Sequence, residues 1–120
     1  MKNKIKRVIL FCLLILSFAF TLFALDPVVV SFIDWTKTGS FFGETGYWSF
    51  YSLEAEVQNF MKTGIVHVIF QAIDPSGNVV GTGEIAGYLE YGQRKKLKGR
   101  VKIFGDPRIS KWKLFKAYVE

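Results

Sequence analysis

The side chains best able to take part in catalysis or metal binding are one histidine and a pair of glutamates. His67 is the only histidine of the chain, and the only cysteine, Cys12, lies near the N-terminus. A metal site or a catalytic dyad needs several such groups together, so we expect His67 to pack on its strand or to cap a neighbouring group. Glu54 and Glu56 are two residues apart and share one strand face, which is commonly charged. The sequence therefore predicts no enzyme, no metal and no cofactor.

A glycine-rich segment, IDPSGNVVGTGEIAG at residues 73–87, is the second stretch that could do chemistry. A phosphate-binding loop needs a helix N-terminus behind it, and no helical pattern follows these glycines. Their spacing also differs from the dinucleotide-binding fingerprint. Asp74 and Gly77 suit a type I turn with a bulge instead. We predict a hairpin here, with Gly81 and Gly83 marking a bulge or a close backbone approach.

The elements that position these residues are predicted to be strands, because apolar and polar residues alternate with period two. The clearest cases are the segments LEAEVQN and KLKGRVKI, whereas IVHVIFQAID is typical of a central strand. About seven strands separated by turns predict an all-β fold, an immunoglobulin-like antiparallel β-sandwich preceded by an N-terminal signal helix. The other predicted strands are Val28–Trp35, Tyr47–Ser52, Val79–Ala86 and Lys111–Val119, the last with a kink near Leu114–Phe115, and residues 37–46 are predicted to be a loop.

The N-terminal residues predict export. The basic segment MKNKIKR precedes a long apolar run that ends near the small residue Ala24. This order is typical of a signal peptide, here residues 1–24. The alternative is an uncleaved anchor at residues 8–25, which would give the protein its only contact with the membrane. Residues 25–120 then form a single domain, periplasmic or extracellular.

Charge is unevenly distributed along the chain. The net charge of +6 includes four basic residues of the leader, so the remaining domain carries only +2. This balance does not indicate a nucleic-acid-binding protein. Residues 25–92 hold two basic and eight acidic residues, whereas residues 93–120 hold ten basic and two acidic ones. The C-terminal part is therefore the candidate for contact with an anionic partner.

Two surfaces are candidates for binding. The first is a basic row on one strand face, suited to an anionic envelope polymer, lipid head groups or an acidic partner such as an envelope protein. Its alternative is a solvated face, or a row paired with Glu54 and Glu56. The second is an aromatic group that could stack on sugar rings or anchor a protein; its alternative is a cover over one end of the core. The basic row is Lys96, Lys98, Arg100 and Lys102, and the aromatic group is Trp35, Phe41, Phe42, Tyr47 and Trp48.

The hairpin sequence also resembles a known family. FQAID (70–74) followed by PSGNVVGTG is similar to the motif of the FxLYD domains, small immunoglobulin-like sandwiches of bacterial exported proteins. Phe70 and Asp74 match in place, whereas Ala72 and Ile73 replace Leu and Tyr. EVQN (56–59) resembles the family's Gly-x-Val-x-Asn strand end.

The segment YLEYGQRKKLKGRVKI (88–103) resembles the family's following loop, turn and strand, with Tyr91 in place of Pro. The resemblance covers roughly residues 50 to 119. It implies an immunoglobulin-like fold and an envelope location, and it implies no catalytic residue. The sequence as a whole predicts an exported, non-enzymatic binding or structural module of the bacterial cell envelope, with a carbohydrate-binding accessory domain as the alternative.

Overall fold

The computed structural model describes residues 27–120, so the predicted signal peptide and its helix lie outside the described residues. The described part is all-β and contains no helix. It accordingly holds no helix long and apolar enough to cross a membrane. The six strands are β1 (Val28–Gly43), β2 (Gly46–Asn59), β3 (Gly64–Ile73), β4 (Val79–Leu89), β5 (Arg94–Phe104) and β6 (Lys111–Val119).

The strands form two antiparallel sheets of three strands each. Sheet A has the order β1–β2–β5, and sheet B has the order β4–β3–β6. The chain builds a hairpin in sheet A and a hairpin in sheet B, and then adds β5 to sheet A and β6 to sheet B. Strand β5 therefore lies beside β2, a neighbour that precedes it by more than 30 residues.

The prediction of a loop at residues 37–46 is wrong. Strand β1 continues to Gly43, and β2 begins at Gly46, so that only Glu44 and Thr45 separate two long paired strands. The glycines that suggested a loop are accommodated within the ladder, with register shifts between Phe32 and Asp34 and between Lys37 and Gly39. The two strands predicted at 47–52 and 53–59 are likewise one strand, which reduces the predicted seven to six.

The inward faces of both sheets contribute to one hydrophobic core. The alternation predicted from the sequence is confirmed, because every second residue of β2 and β3 is buried. Phe32 of sheet A and Phe70 of sheet B meet edge to face, with ring centroids 5.3 Å apart. The fully buried residues of these two central strands include Leu53, Ala55, Val57, Val66, Val68 and Ala72.

The segment at residues 73–78 is a hairpin turn, as predicted. The Asp74 carboxylate accepts hydrogen bonds from the backbone amides of Ser76 (2.9 Å) and Asn78 (2.8 Å). Gly77 has a φ of +88°, which is the left-handed conformation expected of the residue that closes such a turn. The Asp74 side chain is thus engaged in holding the turn.

The two sheets approach closely where β4 passes β5. A Cβ atom at Gly83 would lie 2.6 Å from the side chain of Val101, and one at Gly81 would lie 2.6 Å from Ile103. Such distances are too short for real contacts, so any other residue at these positions would require the facing side chains to shift. The predicted close approach is confirmed, and so is the bulge, because the register shifts between Ala72 and Ile73.

Strand β6 contains the kink that the sequence predicted. Leu114 pairs with Phe70 and Lys116 pairs with Ile69, which leaves Phe115 as an extra residue in the ladder. This bulge accounts for the change in apolar parity along the strand.

Candidate functional site

The outward face of sheet A brings together residues from three strands. Residues directly opposite each other in antiparallel strands point to the same side, so the register defines rows across the sheet. From one end of the face to the other, the rows are Val29–Gln58–Arg94, Ser31–Glu56–Lys96, Asp34–Glu54–Lys98, Thr36–Ser52–Arg100, Gly39–Phe50–Lys102 and Phe41–Trp48–Phe104. The predicted basic row is one edge of this face.

The first half of the basic row faces acids. Lys96 lies opposite Glu56, and Lys98 lies opposite Glu54. Arg94 adds an ion pair, with its Nε 3.3 Å from the Glu56 carboxylate. Opposite charges on adjacent strands neutralise each other at short range. Among the described residues, Arg94 is the member of this half that forms an ion pair, whereas Lys96 and Lys98 face the glutamates in the register without a recorded ion pair.

The second half of the row meets aromatic rings. Arg100 lies opposite Ser52 and holds its guanidinium 4.3 Å from the centroid of Phe50. Lys102 holds its Nζ 4.9 Å from the ring of Trp48. Among residues 27–120, the structure records no ion pair at either cation. We call this region the distal patch; it consists of Phe41, Trp48, Phe50, Arg100, Lys102 and Phe104.

The distal patch is accessible and ends in exposed rings. Trp48 and Phe104 meet edge to face with centroids 5.2 Å apart, and the Trp48 Nε1 donates to the Thr45 hydroxyl at 3.0 Å. Phe104 is 61% exposed and Phe41 is 59% exposed. A shallow hollow of about 290 Å³ lies beside Phe50 and the two cations. This combination can bind an anionic group next to an apolar or ring-shaped one.

The structure separates the aromatic residues that the sequence grouped together. Trp35 points inward and packs against Tyr51 and Trp112, with centroids 6.0 and 6.4 Å away. Phe42 and Tyr47 are paired on the face of the hairpin opposite to Phe41 and Trp48. Trp35 thus belongs to the core side, and the remaining residues line both faces of the hairpin end.

Sequence reasoning missed Phe50 and Phe104. Phe104 continues the parity of Lys98, Arg100 and Lys102, and this signal was sufficient to place it on the outward face. Phe50 could be placed only with the β2–β5 register, because nothing in its own strand relates it to Arg100.

A salt bridge fixes the loop beneath the same hairpin. Lys37 Nζ lies 2.7 Å from the Asp106 carboxylate, which also accepts a 3.4 Å hydrogen bond from Ser49. The Ser49 hydroxyl shares its single hydrogen between this carboxylate and the Gly105 carbonyl, which is the closer acceptor at 2.7 Å. The hydrogen bond between the two charged groups raises the pKa of Lys37 and lowers the pKa of Asp106. These contacts hold the β5–β6 loop against the hairpin and so position the end of β5.

The outward face of sheet B carries a different charged cluster. His67 donates from Nδ1 to Glu84 at 2.8 Å and from Nε2 to Glu120 at 2.7 Å, and its ring stacks on Tyr118 at 4.8 Å. Two donated bonds require the imidazolium form. The hydrogen bond to Glu120, followed by that to Glu84, raises the pKa of His67 above its ordinary value. The histidine is thus held by two carboxylates on the mixed face of its strand.

Residues that carry the FxLYD resemblance have structural roles in this chain. The Asn59 side chain is buried and donates to the carbonyls of Lys62 (2.6 Å) and Leu89 (3.1 Å), which ties two loops together. Phe70 lies in the core, and Asp74 organises the β3–β4 turn. The matched positions therefore contribute to the core, a turn and a connection of this chain.

The acidic and histidine residues of the described chain do not form a metal centre. No group of three or more histidine, cysteine, aspartate or glutamate side chains within residues 27–120 is arranged to hold a metal ion. Glu54 and Glu56 face lysines across the sheet.

Comparisons with known proteins return nothing: no family model, no curated protein and no solved structure matches this chain. Its function must therefore be argued from the geometry of its own surfaces.

Proposed function

We propose that the protein is an exported, non-enzymatic binding module of the bacterial cell envelope, built as an immunoglobulin-like β-sandwich. The leader-like N-terminus supports export, and the resemblance to the FxLYD domains supports both the fold type and the location. Two three-stranded antiparallel sheets that share one core are compatible with this fold.

The observation that carries the proposal is the distal patch. Its two cations lie on aromatic rings, and no acid faces them across the sheet. Cations that are not neutralised by neighbours attract anions from solution, and adjacent aromatic rings provide the apolar contact area that stabilises a complex. Within the predicted basic row, the patch is thus the part best suited to an envelope protein or an anionic envelope polymer.

The test compares two charge reversals on the same strand. A full-length chain with a flexible C-terminal tag is expressed in a bacterial host, and the exported form is used to capture partners from an envelope extract. Arg100→Glu with Lys102→Glu should abolish capture, whereas Lys96→Glu with Lys98→Glu should retain most of it. Capture should also weaken as ionic strength rises, since exposed charges act only over a Debye length of about 8 Å at physiological salt.

Equal capture by both double variants would overturn the proposal, provided that their melting temperatures match that of the wild type. Mass spectrometry of the exported form should find an N-terminus near Leu25. Recovery of the intact Met1 chain in the inner membrane would support the anchor instead.

A carbohydrate-binding accessory domain remains the second candidate. The observation that favours it is the row Phe41–Trp48–Phe104, which sets three rings side by side on one face. Sugar stacking depends on the rings and not on the cations, so it should survive high salt and be lost with Trp48→Ala. Salt-resistant binding to a neutral polysaccharide, lost in that variant, would favour this function over the first.

A further inference from the structure

The end of the β1–β2 hairpin exposes phenylalanines on both of its faces. Phe41 lies on the outward face of sheet A, and Phe42, its neighbour in sequence, lies on the opposite face. They are 59% and 79% exposed, and only Gly43 separates them from the two-residue turn. A ligand that stacks on a single face can contact only one of these rings. A partner that uses both must surround the hairpin end.

A third exposed ring reaches the same end from another strand. Phe104 closes β5 in the row of Phe41 and Trp48, and it is 61% exposed. Isolated exposed apolar side chains are common on protein surfaces, but here three exposed phenylalanines lie at one end of the molecule, two on the outward face of sheet A and one on the opposite face. Exposed apolar groups concentrated in this way are typical of contact with a protein or a membrane.

The cations lie behind these rings along β5, at distances set by the rise per strand residue. With a rise of about 3.3 Å per strand residue, Lys102 lies about 7 Å behind Phe104 and Arg100 about 13 Å behind it. A segment bound at a membrane interface buries its apolar side about 5–10 Å into the boundary between headgroups and acyl chains. When Phe104 reaches that boundary, Lys102 lies at the level of the lipid phosphates. Its long apolar stem allows the ammonium group to remain in the polar layer.

The charges around the patch select an anionic surface. Arg100 and Lys102 face Ser52 and Phe50, which leaves their charge available, whereas Lys96 and Lys98 face glutamates. Glu44 in the turn and Asp106, two residues after Phe104, are the acids close to the exposed phenylalanines in sequence, and Asp106 pairs with Lys37. Glu44 limits insertion to the interfacial layer. Basic residues next to an apolar patch, with an acid that prevents deep insertion, fit peripheral contact and not a membrane span.

We propose that this end of the protein docks on an anionic lipid surface, with Phe41, Phe42 and Phe104 at the acyl boundary, Lys102 at the phosphates, and Arg100 about 7 Å behind them, within a Debye length. An acidic glycan would satisfy the cations but would leave Phe42 unused, because that ring lies on the opposite face from the cations. The inference rests on the proposed envelope function and names the chemistry of the partner at the distal patch.

The experiment measures binding of the exported form to vesicles by co-sedimentation. One set of vesicles is phosphatidylcholine alone, and the other is phosphatidylcholine mixed with phosphatidylglycerol. The wild type should bind the anionic vesicles in a salt-dependent manner and bind the neutral ones weakly. Arg100→Gln with Lys102→Gln should weaken binding about 30-fold, since each basic residue near an anionic membrane contributes about fivefold.

Matched variants on the same chain provide the controls. Lys96→Gln with Lys98→Gln removes the same charge from the same strand and should change binding less than about twofold, because these residues lie beyond a Debye length from the phosphates. Phe41→Ser with Phe42→Ser should abolish binding, whereas Phe60→Ser with Met61→Ser, at the opposite end of β2, should not. Glu44→Gln should strengthen binding.

Three outcomes would overturn the inference alone, and a fourth would overturn the proposed function as well. The first outcome is equal binding to neutral and anionic vesicles. The second is that the Phe60/Met61 variant loses binding whereas the Phe41/Phe42 variant keeps it. The third is that the protein binds polygalacturonate but does not bind vesicles. In the third case the distal patch would still bind an anion, so the proposed envelope function would stand while its lipid partner would not. If the envelope extract contains no partner whose capture depends on Arg100 and Lys102, both the proposed envelope function and the lipid partner are wrong.

Discussion

Strand β5 has two ends that look alike in sequence and differ in their surroundings. Along its outward face, a basic residue recurs at every second position from Arg94 to Lys102. At one end, Lys96 and Lys98 face the glutamates of β2. At the other end, Arg100 and Lys102 lie on the rings of Phe50 and Trp48. The first pair lies opposite acidic residues, and the second pair does not.

The difference shows that a charge row in a sequence is not one site. The strand that supplies the charges decides only which face they occupy, through its alternation. The neighbouring strand decides whether each charge is matched. In this protein the change from glutamate to serine and phenylalanine along β2, at residues 56, 54, 52 and 50, divides a uniform row into two regions.

The largest expected effect is a loss of folding stability when the packing of β4 against the distal end of β5 is disturbed. Gly83→Val would place a branched side chain where even a Cβ lies 2.6 Å from Val101, so we expect the free energy of unfolding to fall by about 3 kcal/mol. Urea denaturation measures this change. Gly77→Val is the matched control, since it meets no neighbour and strains only a backbone with φ of +88°, at a cost of about 1 kcal/mol. Equal losses in the two variants would show that β4 and β5 are not closely packed.

A smaller effect is expected from a substitution that places an acid opposite a basic residue at the distal end of β5, as at the other end. Ser52→Glu places a carboxylate opposite Arg100, as Glu54 is placed opposite Lys98. Neutralising one cation should weaken binding to anionic vesicles about fivefold, or about 1 kcal/mol, without removing any basic residue. Thr36→Glu, one strand further from Arg100, should weaken it less. Unchanged binding in the Ser52 variant would mean that the pairing with β2 does not control the availability of the cations.

The reverse change tests the acid-paired end. Glu54→Lys sets two lysines opposite each other, which should lower the free energy of unfolding by about 0.5–1 kcal/mol at low salt. Added salt should restore most of this loss, because exposed charges are screened. Glu54→Gln should cost less, since it removes an attraction without creating a repulsion. A loss in Glu54→Lys that salt does not reduce would point to a packing role for this side chain.

The smallest expected effect concerns the charged cluster on sheet B, where a histidine is the cation. Its neighbours on the other strands of the sheet are Glu84, Glu120, Tyr118 and Lys116. The two carboxylates raise the folded-state pKa of His67 above that of the unfolded chain. The stabilisation that the two ion pairs of His67 give to the fold is therefore complete below pH about 6.5. It is lost as the pH rises through the folded-state pKa.

The melting temperature of the wild type should accordingly fall over that interval more than that of His67→Gln. A double variant that lacks the carboxylates of Glu84 and Glu120 should show the same flatter dependence of melting temperature on pH. An identical pH profile for the wild type and His67→Gln would show that the imidazolium pairs do not stabilise the fold. The distal patch contains no histidine, so vesicle binding should not follow this profile.

Much of the fold was predictable because it depends on short-range rules. Period-two alternation placed the core residues of β2, β3 and β5 correctly, and Asp74 with Gly77 specified a tight turn whose hydrogen bonds are local. The kink in β6 followed from a change of parity within the strand. The loop prediction at residues 37–46 failed because three glycines and three serine or threonine residues are typical of loops, whereas pairing with β2 supplies hydrogen bonds that outweigh this preference.

The sequence by itself determined which side chains of each strand point outward, since alternation is a property of the extended backbone. It thereby determined that Lys96, Lys98, Arg100 and Lys102 share a face. Only the tertiary structure decided which of them face opposite charge, because β2 and β5 are joined through a pairing between residues 36 to 56 positions apart in the chain, and no local signal specifies that register. The same pairing brought Phe50 under Arg100 and set Phe104 beside Trp48. Cross-strand neighbours fix the electrostatic environment of a surface charge, and those neighbours are chosen by how the sheets assemble.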